Sequence, residues 1–209
     1  MRRIHARCLA LGLSCLFIPA CAALEPKADP SRFFTLTSVG QLDQSRFQGS
    51  FNGGDLFIGI GPVKLPGYLD REQLVTRVSQ NRFQIAENDR WAEPLEANFT
   101  RVLTQNLTAR LTTGRFVIFP WRPGERPAYQ LEIDVLRFER HASGSVELIA
   151  RWIVRGATLK SALANETRLT LAVRDSSTEA AVAALSGALG EFSDEIAQAL
   201  QGLAANAKL

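Results

Sequence analysis

Two long stretches of the chain repeat apolar residues at intervals of three and four, the period of an α-helix that buries one face. The first follows Glu93-Pro94 and precedes Gly114, with Arg101 and Arg110 off its apolar stripe. Proline suits the first turn of a helix and glycine suits its end, so we predict a helix between these two points. Its apolar stripe consists of Leu95, Phe99, Val102, Leu103, Leu107 and Leu111.

The second stretch predicts a long C-terminal helix. Ser176 to Glu179 has the composition of a helix N-cap, and the apolar repeat continues to about Ala204. Such a seam is typical of a helix packed on a sheet or on a sister helix, and a coiled coil between protomers is the alternative. The seam consists of Val182, Leu185, Leu189, Phe192, Ile196, Leu200 and Leu203.

Alternation of apolar and polar residues predicts strands. The clearest three are consecutive, and their short connections at Glu139–Ser145 and Gly156–Glu166 indicate an antiparallel meander. They cover Tyr129–Val135, Val146–Val154 and Thr167–Val173. Shorter strands are predicted at Arg32–Thr37, Asp55–Val63, Leu74–Val78, Arg82–Ala86 and Arg115–Phe119, with a loop at Gly40–Gly54.

These elements predict an α+β domain, within the broad α/β class. We expect two helices packed on one face of a mixed, largely antiparallel sheet. The length of 209 residues suits a single domain, and no Pro/Ser-rich linker divides the chain.

The first twenty residues have the pattern of an export signal. Arg2, Arg3 and Arg7 precede an apolar run, Cys8–Ile18, which is shorter than the roughly 20 residues that a membrane-spanning helix needs. The run leads to Ile18-Pro19-Ala20-Cys21, which resembles a bacterial lipobox. We therefore predict cleavage before Cys21 and attachment of acyl chains to it.

This prediction divides the chain into a signal peptide at 1–20, a lipidated tether at 21–31 and one periplasmic domain at 32–209. An ordinary signal peptide cut near Ala23 is the alternative, and it would leave Cys21 as a free thiol in an oxidising compartment. Ala22 follows the cysteine, whereas Asp there is the usual inner-membrane retention signal of enteric lipoproteins. The predicted location is therefore the periplasmic face of the outer membrane.

The formal net charge of +3 belongs to the leader. Removal of residues 1–20 takes away three of the 24 Lys and Arg and none of the 21 Asp and Glu, which leaves 21 of each sign. A nucleic-acid partner therefore loses its main electrostatic support.

Few residues are available for catalysis. After cleavage, His141 is the only histidine and Cys21 the only cysteine, which removes Cys/His metal sites, Cys–His nucleophiles and most serine triads. Glu132 and Asp134 share the polar face of a strand, where solvated or salt-bridged carboxylates are expected. Gly59-Ile60-Gly61 precedes a proline and no helix, so close packing is expected there and not a phosphate loop. We predict no enzyme, no metal and no cofactor.

The most distinctive part of the chain runs from Gly61 to Leu111. It includes Tyr68, Asp70, Arg71, Arg90 and Trp91, for which two interpretations are open. In one they are local structure, with Asp70 capping a turn through Gln73 and Arg90-Trp91 packing where the first helix begins. In the other they are contact residues for a partner subunit.

This stretch also carries a resemblance to a known family. Its pieces are Gly61-Pro62-Val63, Leu65-Pro66, Tyr68-Leu69-Asp70-Arg71, Val75-Thr76-Arg77, Asn81-Arg82 and Arg90-Trp91-Ala92-Glu93-Pro94-Leu95. On these the chain resembles the PqiC-type ABC-transport auxiliary lipoproteins. The resemblance implies an outer-membrane lipoprotein that works with a membrane-spanning partner carrying MCE domains, moves lipids or other hydrophobic molecules between two membranes and supports envelope integrity. Such proteins can assemble into rings, and the resemblance supplies no catalytic residues.

Two other functions stay open at this point. A scaffold or plug of the LptE kind would bind a β-barrel in place of an MCE-domain protein. A lipid carrier would need an apolar cavity of about 300–1,000 Å³.

Overall fold

The computed structural model describes residues 28–39, 56–111, 114–156 and 162–206. The chain divides into two units, Met1–Pro30 and Ser31–Leu209. In the first, residues 28–30 are described and have no regular secondary structure, while Cys21 lies outside the described residues, as does the predicted loop at Gly40–Gly54. The hydrophobic core of the described residues runs from Leu36 to Ala204 and so belongs entirely to the second unit.

Eight strands of the described ranges form one mixed sheet. They are β1 (Arg32–Phe34), β2 (Leu56–Lys64), β3 (Gln73–Ser79), β4 (Arg82–Trp91), β5 (Gly114–Ile118), β6 (Tyr129–His141), β7 (Ser145–Gly156) and β8 (Leu163–Ala172). The predicted meander is confirmed, because β6, β7 and β8 pair antiparallel along almost their whole length.

Strand β6 is the centre of the sheet, since it pairs with β7 along one edge and with two strands along the other. Its first half pairs parallel with β2, outside which lies β5, also parallel. Its last residues pair parallel with β3, which continues antiparallel to β4 and then parallel to β1. Beyond β6 the sheet therefore splits into two branches, β2–β5 and β3–β4–β1.

The two predicted helices are present, and both pack on one face of this sheet. Helix α1 (Leu95–Arg110) contacts β2 and β5, and helix α2 (Thr178–Asn206) contacts β6, β7 and β8. The ring of Phe99 on α1 meets that of Phe138 on β6 edge to face, with centroids 5.2 Å apart, and Phe192 on α2 lies 6.3 Å from Phe99. Neither described helix is both long enough and apolar enough to cross a bilayer.

The apolar stripes occupy the positions that the sequence predicts. The α1 stripe is buried throughout, and the α2 seam is buried from Val182 to Leu200 within a single chain, so packing on the sheet and the sister helix accounts for it. The side-chain oxygen of Ser177 accepts a hydrogen bond from the amide of Ala180 at 3.1 Å, which confirms the predicted N-cap.

Two local predictions are wrong. Helix α1 ends at Arg110, and Gly114 starts β5 because its amide already bonds the carbonyl of Leu111. Asp70 follows a short 3-10 turn, Gly67–Leu69, and caps no turn of its own, since two bent residues lead directly into β3. Arg110 lies off the apolar stripe, as the sequence shows, and is nevertheless buried, because its guanidinium bonds Asp194 and the carbonyl of Gly190 on α2.

An extended segment after β1, Thr35–Val39, runs along both helices, and we term it the crossing segment. Its Val39 amide and Ser38 hydroxyl donate to the side-chain oxygen of Asn106, which is fully buried on α1. The amide of Thr37 donates to Ser186 Oγ on α2. These bonds satisfy backbone and side-chain groups that are withdrawn from water between the helices.

Candidate partner-docking surface

The 3-10 turn after β2 places Tyr68 on the face of the sheet that the helices leave uncovered. Phe138 points into the helix-covered core, so its neighbour Glu139 points to the opposite face. The Tyr68 ring stacks on Phe83 with centroids 4.5 Å apart, and its hydroxyl donates to Glu139 Oε2 at 2.7 Å. Tyr68 therefore forms part of a small second layer on this face.

A buried ion pair holds this layer together. Arg77 Nε donates to Glu139 Oε1 at 2.7 Å, and its guanidinium lies 4.3 Å from the centre of the Phe83 ring. The Glu139 carboxylate is wholly buried and also accepts the amide of Phe138 at 3.0 Å. Burial and then the hydrogen bond to Glu139 raise the pKa of Tyr68 well above its usual value.

A second ion pair continues the network toward the β6–β7 hairpin. Arg137 donates to Glu147 Oε2 at 2.8 Å, and His141 Nε2 lies 3.1 Å from the same oxygen. Burial alone would raise the pKa of Glu147, but the hydrogen bonds from Arg137 and His141 outweigh it and lower that pKa.

Glu139, His141 and Glu147 place possible ligand atoms within 4.8 Å of one another, a spacing that a metal ion could bridge. Both carboxylates already bond guanidinium groups, however, and those positive charges oppose a cation at the same point. The chemistry of this cluster is therefore that of an ion-pair network.

Two of the five candidate contact residues face solvent directly. Asp70 and Arg71 are exposed beside the 3-10 turn, and Arg71 Nε donates back to the carbonyl of Tyr68 at 3.0 Å. The next residue, Glu72, pairs with Arg90 at 3.1 Å. We term Asp70, Arg71, Glu72 and Arg90 the charged corner.

Trp91 lies on the other side of the sheet. It is 6% exposed within the hydrophobic core, and it pairs with Phe34 of β1. It belongs to β4, which runs to Trp91 and beyond the predicted end at Ala86. Its side chain packs inside the domain, so the charged corner and the half-buried Tyr68 are what remain for contact with a partner.

A second surface, at the end of β5, was not predicted from the sequence. Ile118 and Phe119 are 47% and 46% exposed, and the Phe119 ring meets Trp121 edge to face at 5.3 Å. Trp121 also explains the glycine in β2, because a Cβ on Gly59 would lie 2.6 Å from the Trp121 ring. Two aromatic residues around a proline at the end of a short strand are the signal that could have pointed here.

Two surface grooves lie among the described residues, and each is lined by both polar and apolar atoms. One, of about 390 Å³, lies between Arg77, Gln80, Arg137 and His141. The other, of about 440 Å³, lies between Trp121, Arg126, Pro127 and Arg155.

The sequence matches the model of a family described as "ABC-type transport auxiliary lipoprotein component" over residues 34–197. The chain belongs to this family. The matched range extends from β1 into α2, so it contains both helices' packing face and the whole Tyr68 layer. Membership confirms the resemblance drawn from the Gly61–Leu111 stretch and assigns the chain to a class of transport components.

Curated relatives agree with this assignment. The chain is 25% identical over 115 residues to "Intermembrane transport lipoprotein PqiC" of Escherichia coli (strain K12), and to the protein of the same name in Shigella flexneri. The match covers 53% of this chain and 58% of each relative, which is less than two thirds of the relatives' length.

Two solved structures share the fold of the family member described here. A crystal structure of an uncharacterized protein has a TM-score of 0.65 at 20% identity and covers 81% of this chain and 98% of its own. A Xanthomonas campestris protein has a TM-score of 0.64 at 15% identity and covers 85% and 100%. At these identities the likeness shows the architecture alone.

Proposed function

We propose that this chain is a lipoprotein anchored by Cys21 to the periplasmic face of the outer membrane. It acts as the auxiliary subunit of an ABC/MCE-type system that moves lipids or other hydrophobic molecules between the two membranes and supports envelope integrity. The observation that carries the proposal is the family match over residues 34–197, downstream of the lipobox pattern ending at Cys21. Two or three acyl chains on one cysteine would hold the domain at the membrane permanently.

Docking to an MCE-domain partner is the role that we assign to the domain. The charged corner offers exposed groups of both signs, and the Arg77–Glu139 pair and the Tyr68–Phe83 stack fix the turn behind it. A preorganised surface of this kind loses little conformational entropy on binding.

The geometry favours a docking subunit over a lipid carrier. Phe99, Phe138 and Phe192 pack against one another between the helices and the sheet, and the two grooves of the described residues lie at the surface and are lined in part by arginines. A carrier would need an apolar cavity that encloses most of its ligand.

The test compares the full-length protein with its Cys21→Ala variant in cells labelled with a fatty-acid analogue. We expect a labelled wild type that brings down an MCE-domain protein from solubilised envelopes, and an unlabelled, released variant. If the labelled protein brings down only a β-barrel, the scaffold role is correct and the docking role is wrong. Lipid that co-purifies with the domain would favour the carrier role.

A second pair of variants tests the surface. Asp70→Arg with Arg71→Glu should abolish capture of the MCE-domain protein, whereas Arg174→Glu, an exposed residue after β8, should leave it unchanged. If the Asp70/Arg71 double variant and the Arg174 variant capture the MCE-domain protein equally, the charged corner is not part of the interface.

A further inference from the structure

The end of β5 and the loop after it carry an unusual combination of exposed side chains. Ile118 and Phe119 are among the few large apolar residues that the described chain exposes, and Trp121 packs against Phe119. Pro120, Pro123 and Pro127 restrict the backbone around them, so the loop is stiff, while the Trp121 ring is partly buried against Phe119 and Gly59. We term residues 118–127 the aromatic loop.

Positive charge surrounds the apolar side chains of this loop. Arg115, Arg122 and Arg126 are all exposed, and among the described residues none of the three forms an ion pair. Arg115 stacks on the Phe57 ring at 3.8 Å. The nearby Glu125 accepts the amide of Arg122 at 2.8 Å and keeps its negative charge, so the three arginines and this one carboxylate give the rim a net positive charge.

The groove beside Trp121 adds polar donors to the same surface. It measures about 440 Å³, and its polar lining consists of Glu125, Arg126, Gln130 and Arg155 beside Trp121. Gln130 donates to the carbonyl of Gly61 at 3.1 Å and Arg155 to Glu132 at 2.9 Å, so this wall is held in place. Arg126 is the charged member of the groove that has no such partner among the described residues.

We propose that the aromatic loop binds the surface of a membrane that contains anionic phospholipids. Ile118 and Phe119 would lie at the boundary of headgroups and acyl chains, with the exposed part of the Trp121 indole beside them and Arg122 and Arg126 on the lipid phosphates. A lipid surface fits better than a protein partner, because the exposed apolar side chains of Ile118 and Phe119 stand beside arginines that form no ion pair among the described residues. This contact is separate from the anchor on Cys21 and does not depend on the MCE-domain partner.

The test uses residues 22–209, which lack the leader and the cysteine and contain the entire described core. Binding is measured by co-sedimentation with phosphatidylethanolamine vesicles with and without phosphatidylglycerol. We expect binding to the anionic vesicles alone, weakened by salt, because each arginine near such a surface contributes about fivefold in affinity.

Matched variants locate the contact. Phe119→Ser should weaken binding at least fivefold, whereas Phe33→Ser on β1, with a still more exposed ring at 64%, should leave it unchanged. Arg122→Glu with Arg126→Glu should weaken it at least tenfold, and the exposed pair Arg82→Glu with Arg174→Glu should not.

Fluorescence supplies an independent readout. Trp91 and Trp152 are buried, so quenching by brominated acyl chains should come from Trp121 and disappear in Trp121→Phe. Equal binding by Phe119→Ser and Phe33→Ser, or no binding to anionic vesicles, would overturn the proposal. Loss of protein capture by the loop variants with vesicle binding unchanged would assign the loop to a protein partner instead.

Discussion

Glu139 is the residue whose charge matters most to the uncovered face of the sheet. Its buried carboxylate bonds Arg77, Tyr68 and the Phe138 amide, so Glu139→Gln leaves the Arg77 guanidinium without its counter-charge. We expect a loss of about 3 kcal/mol in the free energy of unfolding, measured by urea titration. Glu132→Gln breaks the exposed pair with Arg155 and should cost less than about 1 kcal/mol. Similar losses in the two variants would contradict the buried role of Glu139.

The raised pKa of Tyr68 predicts that the stability of the same layer depends on pH. Its pKa is raised in the folded protein, so its contribution to stability is present below its ordinary pKa of about 10 and is lost as the pH rises through the folded value. The chain has two tyrosines, so the tyrosinate absorbance of wild type minus Tyr68→Phe isolates this residue. We expect a midpoint well above 10 in the folded protein and near 10 in urea. A folded midpoint at the ordinary value would show that the phenol does not bond Glu139.

At the scale of elements, the crossing segment depends on a glycine in α2. A Cβ on Gly190 would overlap the Val39 side chain, whereas one on Gly202 would meet nothing within 4 Å. Gly202→Ala should therefore stabilise the helix by about 0.5–1 kcal/mol. Gly190→Ala offers the same gain in helix propensity but must displace the segment, so we expect no net stabilisation.

Hydrogen exchange measures the displacement directly. Amides of residues 35–39 should exchange faster in Gly190→Ala than in wild type and unchanged in Gly202→Ala, because the bonds to Asn106 and Ser186 lengthen only in the former. Equal protection in all three proteins would show that Val39 can rearrange in place.

The molecule as a whole should unfold in one step although its sheet has two branches. Trp91 lies on the β3–β4–β1 branch and Trp152 in the meander, and both contribute to one continuous core. In a Trp121→Phe background, each variant that keeps one of these two tryptophans should show a fluorescence midpoint in guanidinium that coincides with its own midpoint by far-UV circular dichroism. Different midpoints for the two probes would mean that the β3–β4–β1 branch unfolds independently of the meander.

The elements predicted most accurately are those in which local pattern and burial coincide. The stripes of α1 and α2 and the alternation in β6–β8 determine which face is buried, and each is a period that can be counted within one element. The ends of elements were less predictable, because Gly114 starts a strand through a bond to Leu111 and β4 extends to Trp91 by pairing with β1.

The candidate site was harder to predict than the fold. Glu139 occupies a position that alternation assigns to solvent, and it is buried by a turn some seventy residues earlier in the chain. Arg110 and Asn106 are likewise polar by sequence and buried by α2 and the crossing segment. Such burial depends on contacts between distant residues, for which a local pattern carries no signal.

The short strand β1 has a mechanical consequence. The second unit begins at Ser31, just before this strand. Arg32 donates two hydrogen bonds, of 2.7 and 2.9 Å, to the Asp89 carboxylate on β4. The hydroxyl of Thr178, at the start of α2, donates to the same carboxylate. A pulling force applied through the preceding chain would act on these hydrogen bonds before it acted on the hydrophobic core. A force from the proposed membrane anchor would then pass through the Arg32–Asp89 pair into both β4 and α2, and not into β1 alone.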